Sequence, residues 1–244
     1  MVKKAEAIVL NQHKYGNSSL ICNLFTAEYG KINIIAKGAR TIKNPHSAIL
    51  QTGHHIDLIY YYKSTRNIQT LKEASIVNAF QNINKDYKKT ICSLTIIDII
   101  NKISFQDNPC NIIFRLIQRT LGKINKTKTD HIDLYYIFFQ IQLLIYLGYH
   151  PSFFQCYKCN QKLINASFDL NIGQVLCLKC NSQNKDIINT ETINNLKIFM
   201  NTHINDIEKK INFNNLIGIN NLLYKFISYH VPEIRKSKLF ISEK

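Results

Sequence analysis

Cys156-Tyr157-Lys158-Cys159, then residues 160–176, then Cys177-Leu178-Lys179-Cys180: two thiol pairs placed to converge on one ion decide how the rest of the chain is read. Each Cys-x-x-Cys makes a tight knuckle whose sulfurs point the same way, and two facing knuckles supply the tetrahedral thiolate set that structural zinc prefers. Residues 162–176 have the length of a short hairpin with Asn171-Ile172-Gly173 as its turn, so the spacing predicts a zinc ribbon on Cys156, Cys159, Cys177 and Cys180. Disulfides are the competing reading. They suit small secreted domains, whereas this chain has 244 residues and three scattered further cysteines, Cys22, Cys92 and Cys110. A redox dithiol needs only one pair, in a thioredoxin-like setting that the flanking sequence does not provide. Four thiolates leave no open coordination position, so the Zn2+ is expected to hold structure rather than catalyse. Lys158, Lys162 and Lys179 stand ready to offset the negative charge of such a centre.

Toward the N-terminus, residues 4–80 show short period-two segments, which read as strands. They are Ala5, Ala7, Val9; Leu20, Cys22, Leu24; Ile32, Ile34, Ala36; Ile56, Leu58, Tyr60; and residues 67–77. Turn residues separate them at Tyr15-Gly16-Asn17-Ser18 and Glu28-Tyr29-Gly30-Lys31, and a longer basic loop covers 38–48. Five short strands suit a small closed barrel of the OB type. Between 84 and 89 the period changes to that of helices. Ile91, Leu94, Ile97 and Ile100 mark one helical face, and Ile113, Leu116, Ile117, Leu121 and Ile124 a second. A third helix carries Leu134, Ile137, Phe138, Ile141 and Ile145, with Asp130 as its expected cap and Gly148 and Pro151 as its end. Two more helices follow the cysteine ribbon, at 190–203 and 214–229. The expected architecture is α+β and multidomain: an N-terminal OB-fold β-barrel at 1–80, then an α-helical domain at 81–244 with the four-cysteine zinc site inserted at 156–180.

Charge bounds the partner. Lys and Arg number 31 against 16 acidic residues, giving a formal charge of +15 and a pI near 9.5. The imbalance is greatest in the first eighty residues, where Glu6, Glu28, Asp57 and Glu73 are the acids. A polyanion, nucleic acid before an acidic protein surface, is the implied partner. The candidate contacts are Lys37, Arg40 and Lys43 on the basic loop, Lys63 and Arg66 beside the run Tyr60-Tyr61-Tyr62, and Arg235, Lys236 and Lys238 in a basic tail. No phosphate-loop, His-Glu-x-x-His, Gly-x-Ser-x-Gly or dinucleotide-binding motif occurs. His54-His55-Ile56-Asp57 and Asp130-His131-Ile132-Asp133 are the two local sets that invite a metal reading, the first placed at a barrel edge and the second explained by helix capping. The N-terminus has no signal-peptide core, and the apolar run 134–147 is too short to cross a bilayer, so a cytoplasmic chain with no membrane partner is expected.

Several local matches in order make the chain resemble the RecO family of bacterial recombination and repair proteins over nearly its whole length. Ala7-Ile8-Val9-Leu10, Tyr15-Gly16-Asn17-Ser18, Leu24-Phe25-Thr26, Tyr29-Gly30-Lys31 and Ala36-Lys37-Gly38-Ala39-Arg40 look like that family's barrel signature. Leu147-Gly148-Tyr149 leading into the four cysteines, and Tyr229-His230 before the basic tail, resemble its helical domain. The chain departs from the family where Arg40-Thr41 replaces consecutive arginines, where Asn44-Pro45-His46 is less basic, and where Ser19 stands for a common acid. The resemblance implies a non-enzymatic recombination mediator that binds ssDNA and dsDNA and anneals complementary strands. It implies work with RecR and with the C-terminal tail of single-stranded-DNA-binding protein, so that RecA loads in the RecF pathway, near the bacterial nucleoid. Read from the residues alone, an RNA-binding OB and zinc-ribbon protein and a metal-dependent nuclease stay open, the latter disfavoured by scarce carboxylates.

Overall fold

The computed structural model describes residues 1–104, 109–149, 153–181, 187–211 and 213–236. They form two compact units, Met1–Lys126 and Thr127–Lys244.

The first unit opens with β1 (Val2–Tyr15), β2 (Ser19–Thr26) and β3 (Gly30–Ala36), a meander joined by the two turns expected from sequence. A single helical turn α1 (His46–Ile49), not anticipated, leads to β4 (His55–Tyr61) and β5 (Gln69–Asn78). The strands close in the order β1-β2-β3-β5-β4, the topology of an OB barrel. Its one parallel seam pairs Ile34 with Gln69 and Ile35 with Thr70. Alternation fills the interior as read: Ala5, Ala7, Val9, Cys22, Leu24, Ile34, Ile56, Leu58 and Tyr60 are buried together. Burial pushes the Cys22 thiol up to about 12, which makes it an inert packing group.

Two apolar residues face the other way. Ile8 and Phe25, paired across β1 and β2, are buried outside the barrel core. Their cover is α2 (Tyr87–Ile103) and α3 (Asn111–Lys126), which belong to the same compact unit. The Phe114 ring of α3 lies 6.4 Å from Phe25 and 5.9 Å from His55. Around that contact, Glu6 accepts from Arg115 Nη2 at 3.2 Å and pairs with His55 Nε2 at 2.7 Å. The division of the chain therefore falls after α3, although strands give way to helices near residue 80. The face of α2 also differs from expectation: Cys92, Ile96, Ile97, Ile99 and Ile100 are buried while Leu94 is exposed. Isoleucines occur on several sides of this helix, so more than one apolar stripe can be drawn through it, and packing selects between them.

The second unit begins with a 3-10 turn, Thr129–His131, that runs into α4 (Ile132–Tyr146). Asp130 lies in this turn, the N-cap position belongs to His131, and no side chain caps the helix; the acid in its first turn is Asp133. The capping role expected of Asp130 is thus not made, because the 3-10 turn satisfies the incoming backbone instead. Apolar nearly all round, α4 is buried along most of its length and ends at Gly148, which takes φ +89. β6 (Ala166–Asp169) and β7 (Gln174–Cys177) form the anticipated hairpin, and β8 (Ile187–Ile188) adds a third strand that sequence did not suggest. α5 (Thr190–Asn201), the short α6 (Ile207–Lys210) and α7 (Leu216–His230) complete the unit. Asn189 caps α5 by accepting from Thr192 N–H at 2.8 Å. No helix among the described residues is long and apolar enough to cross a membrane.

Candidate metal centre and nucleic-acid interface

Backbone hydrogen bonds shape both knuckles. Cys156 N–H donates to Gln161 O and Asn160 N–H to Cys156 O, with Asn160 turning back at φ +58. Opposite, Cys180 and Asn181 N–H groups both donate to Cys177 O. The hairpin joins the two, since Cys177 ends β7 and its N–H donates to Cys156 Sγ at 3.3 Å. As a result the four sulfurs all lie within 4.8 Å of one another, and Cys159 Sγ is 3.7 Å from Cys177 Sγ. A tetrahedral zinc with bonds of about 2.3 Å requires sulfur-to-sulfur edges of about 3.8 Å, so this donor set fits such an ion.

The electrostatics agree with a cation site. Burial opposes ionisation of Cys156, but N–H donors from Cys177, Cys159 and Lys158 outweigh it and draw the thiol down to about 6. Cys180 is pushed up to about 12, first by its contact with Cys177 and then with Cys159. One thiolate forms readily and its neighbours then resist, a conflict that a central divalent cation removes. Lys158, Lys162 and Lys179 are exposed around the knuckles.

The hairpin is anchored from behind. Phe168 of β6 meets the Phe226 ring of α7 edge-on at 5.1 Å, and Phe153 stacks on Phe168 at 6.3 Å. His230 of α7 bonds to Leu170 O at 2.8 Å.

The sequence-derived cations divide into three groups. Lys37 and Lys43 are exposed on the loop after β3. Arg40, between them, is committed elsewhere: Nη2 donates to Gly16 O at 2.6 Å and Nε to Ser19 O at 3.3 Å, tying the loop to the β1–β2 turn. Its neighbour Ala39 is fully buried. Lys63 and Arg66 lie on the β4–β5 loop, which Gln69 shapes by accepting from Lys63 N–H and donating to Lys63 O and Arg66 O. Arg235 and Lys236 fall in a terminal 3-10 turn, Pro232–Lys236, and Lys238 lies outside the described residues.

The tyrosine run splits by strand parity. Tyr60 is buried inside the barrel, Tyr61 faces out, and Tyr62 carries Lys3 Nζ over its ring at 3.8 Å. Lys3 also stands 4.2 Å from the ring of Tyr29. Sequence patterning singles out neither Lys3 nor Tyr29, since Tyr29-Gly30-Lys31 reads simply as a turn.

The histidine sets are not metal sites. His54 Nδ1 bonds to Ile49 O and His55 to Glu6, both rings buried rather than at an open edge. His131 pairs with Glu208 at 3.4 Å and stacks on Phe213. Among the described residues the four cysteines are the one group of three or more His, Cys, Asp or Glu side chains close enough to share an ion.

Comparison with known proteins agrees with this layout. The family profile described as recombination protein O N terminal matches residues 1–80, and that described as recombination protein O C terminal matches residues 84–239. A protein named DNA repair protein RecO from Alkaliphilus metalliredigens is 27% identical over 100% of both chains. One of the same name from Chloroherpeton thalassium is 29% identical over 72% of this chain and 68% of its own. A third, from Prosthecochloris aestuarii, is 28% identical over 68% of this chain and 63% of its own, so that match spans less than two thirds of the relative. With an OB-type barrel under the first profile, helices and a four-cysteine hairpin under the second, and both profiles in order along the sequence, the chain belongs to the RecO family.

Proposed function

We propose that this chain is a DNA repair and recombination mediator that binds ssDNA and dsDNA, anneals complementary strands, and acts with RecR and single-stranded-DNA-binding protein to load RecA. The observation that carries the reading is the match of both recombination-protein profiles along the chain. In this reading residues 1–80 form the DNA-binding domain, with exposed Lys37, Lys43, Lys63 and Arg66 as phosphate contacts, and Arg235, Lys236 and Lys238 supply further basic contacts. Residues 81–244 form the partner-binding domain, and the acidic tail of the single-stranded-DNA-binding protein seeks an apolar pocket rimmed by cations there. Cys156, Cys159, Cys177 and Cys180 hold a structural zinc that steadies the ribbon. The place of action is the bacterial cytoplasm, at the nucleoid.

The physical task is modest and needs no covalent step. Two complementary strands repel as polyanions, and a protein of charge +15 that contacts both releases their counterions and lets them meet. The test is annealing of complementary strands coated with the cognate single-stranded-DNA-binding protein, without nucleotide or magnesium. Acceleration by the folded protein is expected. No acceleration removes the mediator reading, and strand cleavage on adding a divalent metal replaces it with a nuclease.

A further inference from the structure

At one mouth of the barrel a cavity of about 90 Å³ is lined by Lys3, Lys31 and Arg66, with Tyr29, Tyr62 and Asn33 among the surrounding groups and no carboxylate in its wall. It lies between the start of β1, the first half of β3 and the β4–β5 loop. The sequence explains why cations gather there. Lys3 has the inward parity of Ala5 and Ala7 but sits one step beyond the last filled layer, so it reaches the rim of the barrel. The Tyr29 and Tyr62 rings flank its ammonium at 4.2 and 3.8 Å, which fixes a side chain that would otherwise sample many rotamers. Lys31 points outward from β3 and donates to Asn101 O at 2.7 Å, which spends one of its three protons. Burial pulls its ammonium below the usual lysine range, the mark of a cation short of counter-charge.

We propose that this mouth is a subsite for the terminal phosphate of a nucleic-acid strand. The proposal rests on the DNA-binding reading and adds an end preference to it. Volume and charge both favour this ligand. At about 30 Å³ per water the cavity holds the equivalent of about three waters, room for one tetrahedral oxyanion and not for a base with its sugar. A phosphomonoester carries about −1.5 to −2 at pH 7, whereas an internal phosphodiester or a peptide carboxylate carries about −1. Three cations around so small a space match the higher charge. Arg66 adds planar donors suited to phosphate oxygens, on a loop that Gln69 holds in shape from beneath.

The experiment compares binding of the full-length protein to one fluorescent single strand prepared with a 5′-phosphate, with a 3′-phosphate, or with hydroxyls at both ends, at about 0.1 M salt. One of the phosphorylated strands should bind about tenfold more tightly than the hydroxyl strand, and Lys3→Gln should bring that ratio close to one. Lys3→Arg, which keeps the charge over the rings, should restore most of it. Thermal melting of each variant checks the fold, and Tyr62→Leu, which frees the Lys3 ammonium without removing it, should lower the ratio by an intermediate amount. Equal binding of all three strands by the wild type overturns the proposal while leaving annealing intact. A preserved ratio with no annealing overturns the mediator reading alone. Displacement of the phosphorylated strand by a short acidic peptide, at concentrations where inorganic phosphate does nothing, overturns it in favour of a protein partner at this mouth.

Discussion

Gly173 and Phe226 are packed so closely that a Cβ on the glycine would stand 2.6 Å from the ring's Cζ. Gly173 closes the β6–β7 turn at φ +64, where an L-residue is already strained, and Phe226 is fully buried in α7. The turn that aims the second cysteine knuckle is thus seated directly on a core ring. Gly173→Ala should lose about 1–3 kcal/mol from backbone strain alone, with the ring contact adding to it. Urea unfolding measures the total, and the double variant with Phe226→Leu should fall short of the sum of the two single changes.

Separating the charge of the 37–43 loop from its shape requires leaving Arg40 in place. Lys37→Ala with Lys43→Ala should weaken DNA binding and reduce the slope of log affinity against log salt by about 2, at unchanged melting temperature. Arg40→Ala should lower the melting temperature as well, because it releases the Gly16 and Ser19 carbonyls. An unchanged salt slope in the double lysine variant would move the DNA surface away from this loop.

Cys177→Ser should bring the zinc content of the purified protein close to zero and destabilise the second unit, while the barrel keeps its strand signature in circular dichroism. Metal loss should also follow acidification, since thiols must shed protons to bind and protons compete as pH falls. Full zinc occupancy in the serine variant would refute the four-thiolate site.

Glu208 gives a sharper pH prediction. Burial pushes its carboxyl up, but donors from Tyr135 at 2.8 Å, Thr127 at 2.9 Å and His131 together outweigh that and hold it below the ordinary range. A depressed folded value means that the carboxylate stabilises the fold above the unfolded-state pKa of about 4.3, and that this contribution is lost as pH falls through the folded value. Wild type and Glu208→Gln should therefore differ in melting temperature near neutrality and converge in acid. A constant gap across that range would show that the hydrogen bonds, not the charge, matter.

Phe114→Ala should cost about 3–5 kcal/mol, since this ring fills the contact with Phe25 and His55. Chemical denaturation should register the loss in the first unit.

The barrel is legible in the sequence because alternation has one structural meaning when five short segments repeat it, and the hairpin because Cys-x-x-Cys spacing admits few geometries. What escapes the sequence has equally physical causes. Ile8 and Phe25 look like breaks in a pattern until α3 is seen to cover them. Leu94 reads as buried because α2 carries isoleucine on several sides, and helical period alone cannot choose among them. Arg40 reads as a DNA contact because charge is visible in sequence and a carbonyl partner is not. Lys3 is easy to pass over because it belongs to the inward row of β1, where a lysine reads as an exception rather than as a lining residue.

The parallel seam has a mechanical consequence. Antiparallel partners hold β1, β2 and β4 along most of their lengths, yet β3 meets β5 through two residue pairs only. The circle is therefore a cuff with one short fastener, and Gln69 sits in that fastener while its side-chain amide steadies the β4–β5 loop. Any opening of the cuff would carry Arg66 away from Lys31, so a ligand that bridges the two would act as a stitch, and slower amide exchange at Ile35 and Thr70 would be its signature.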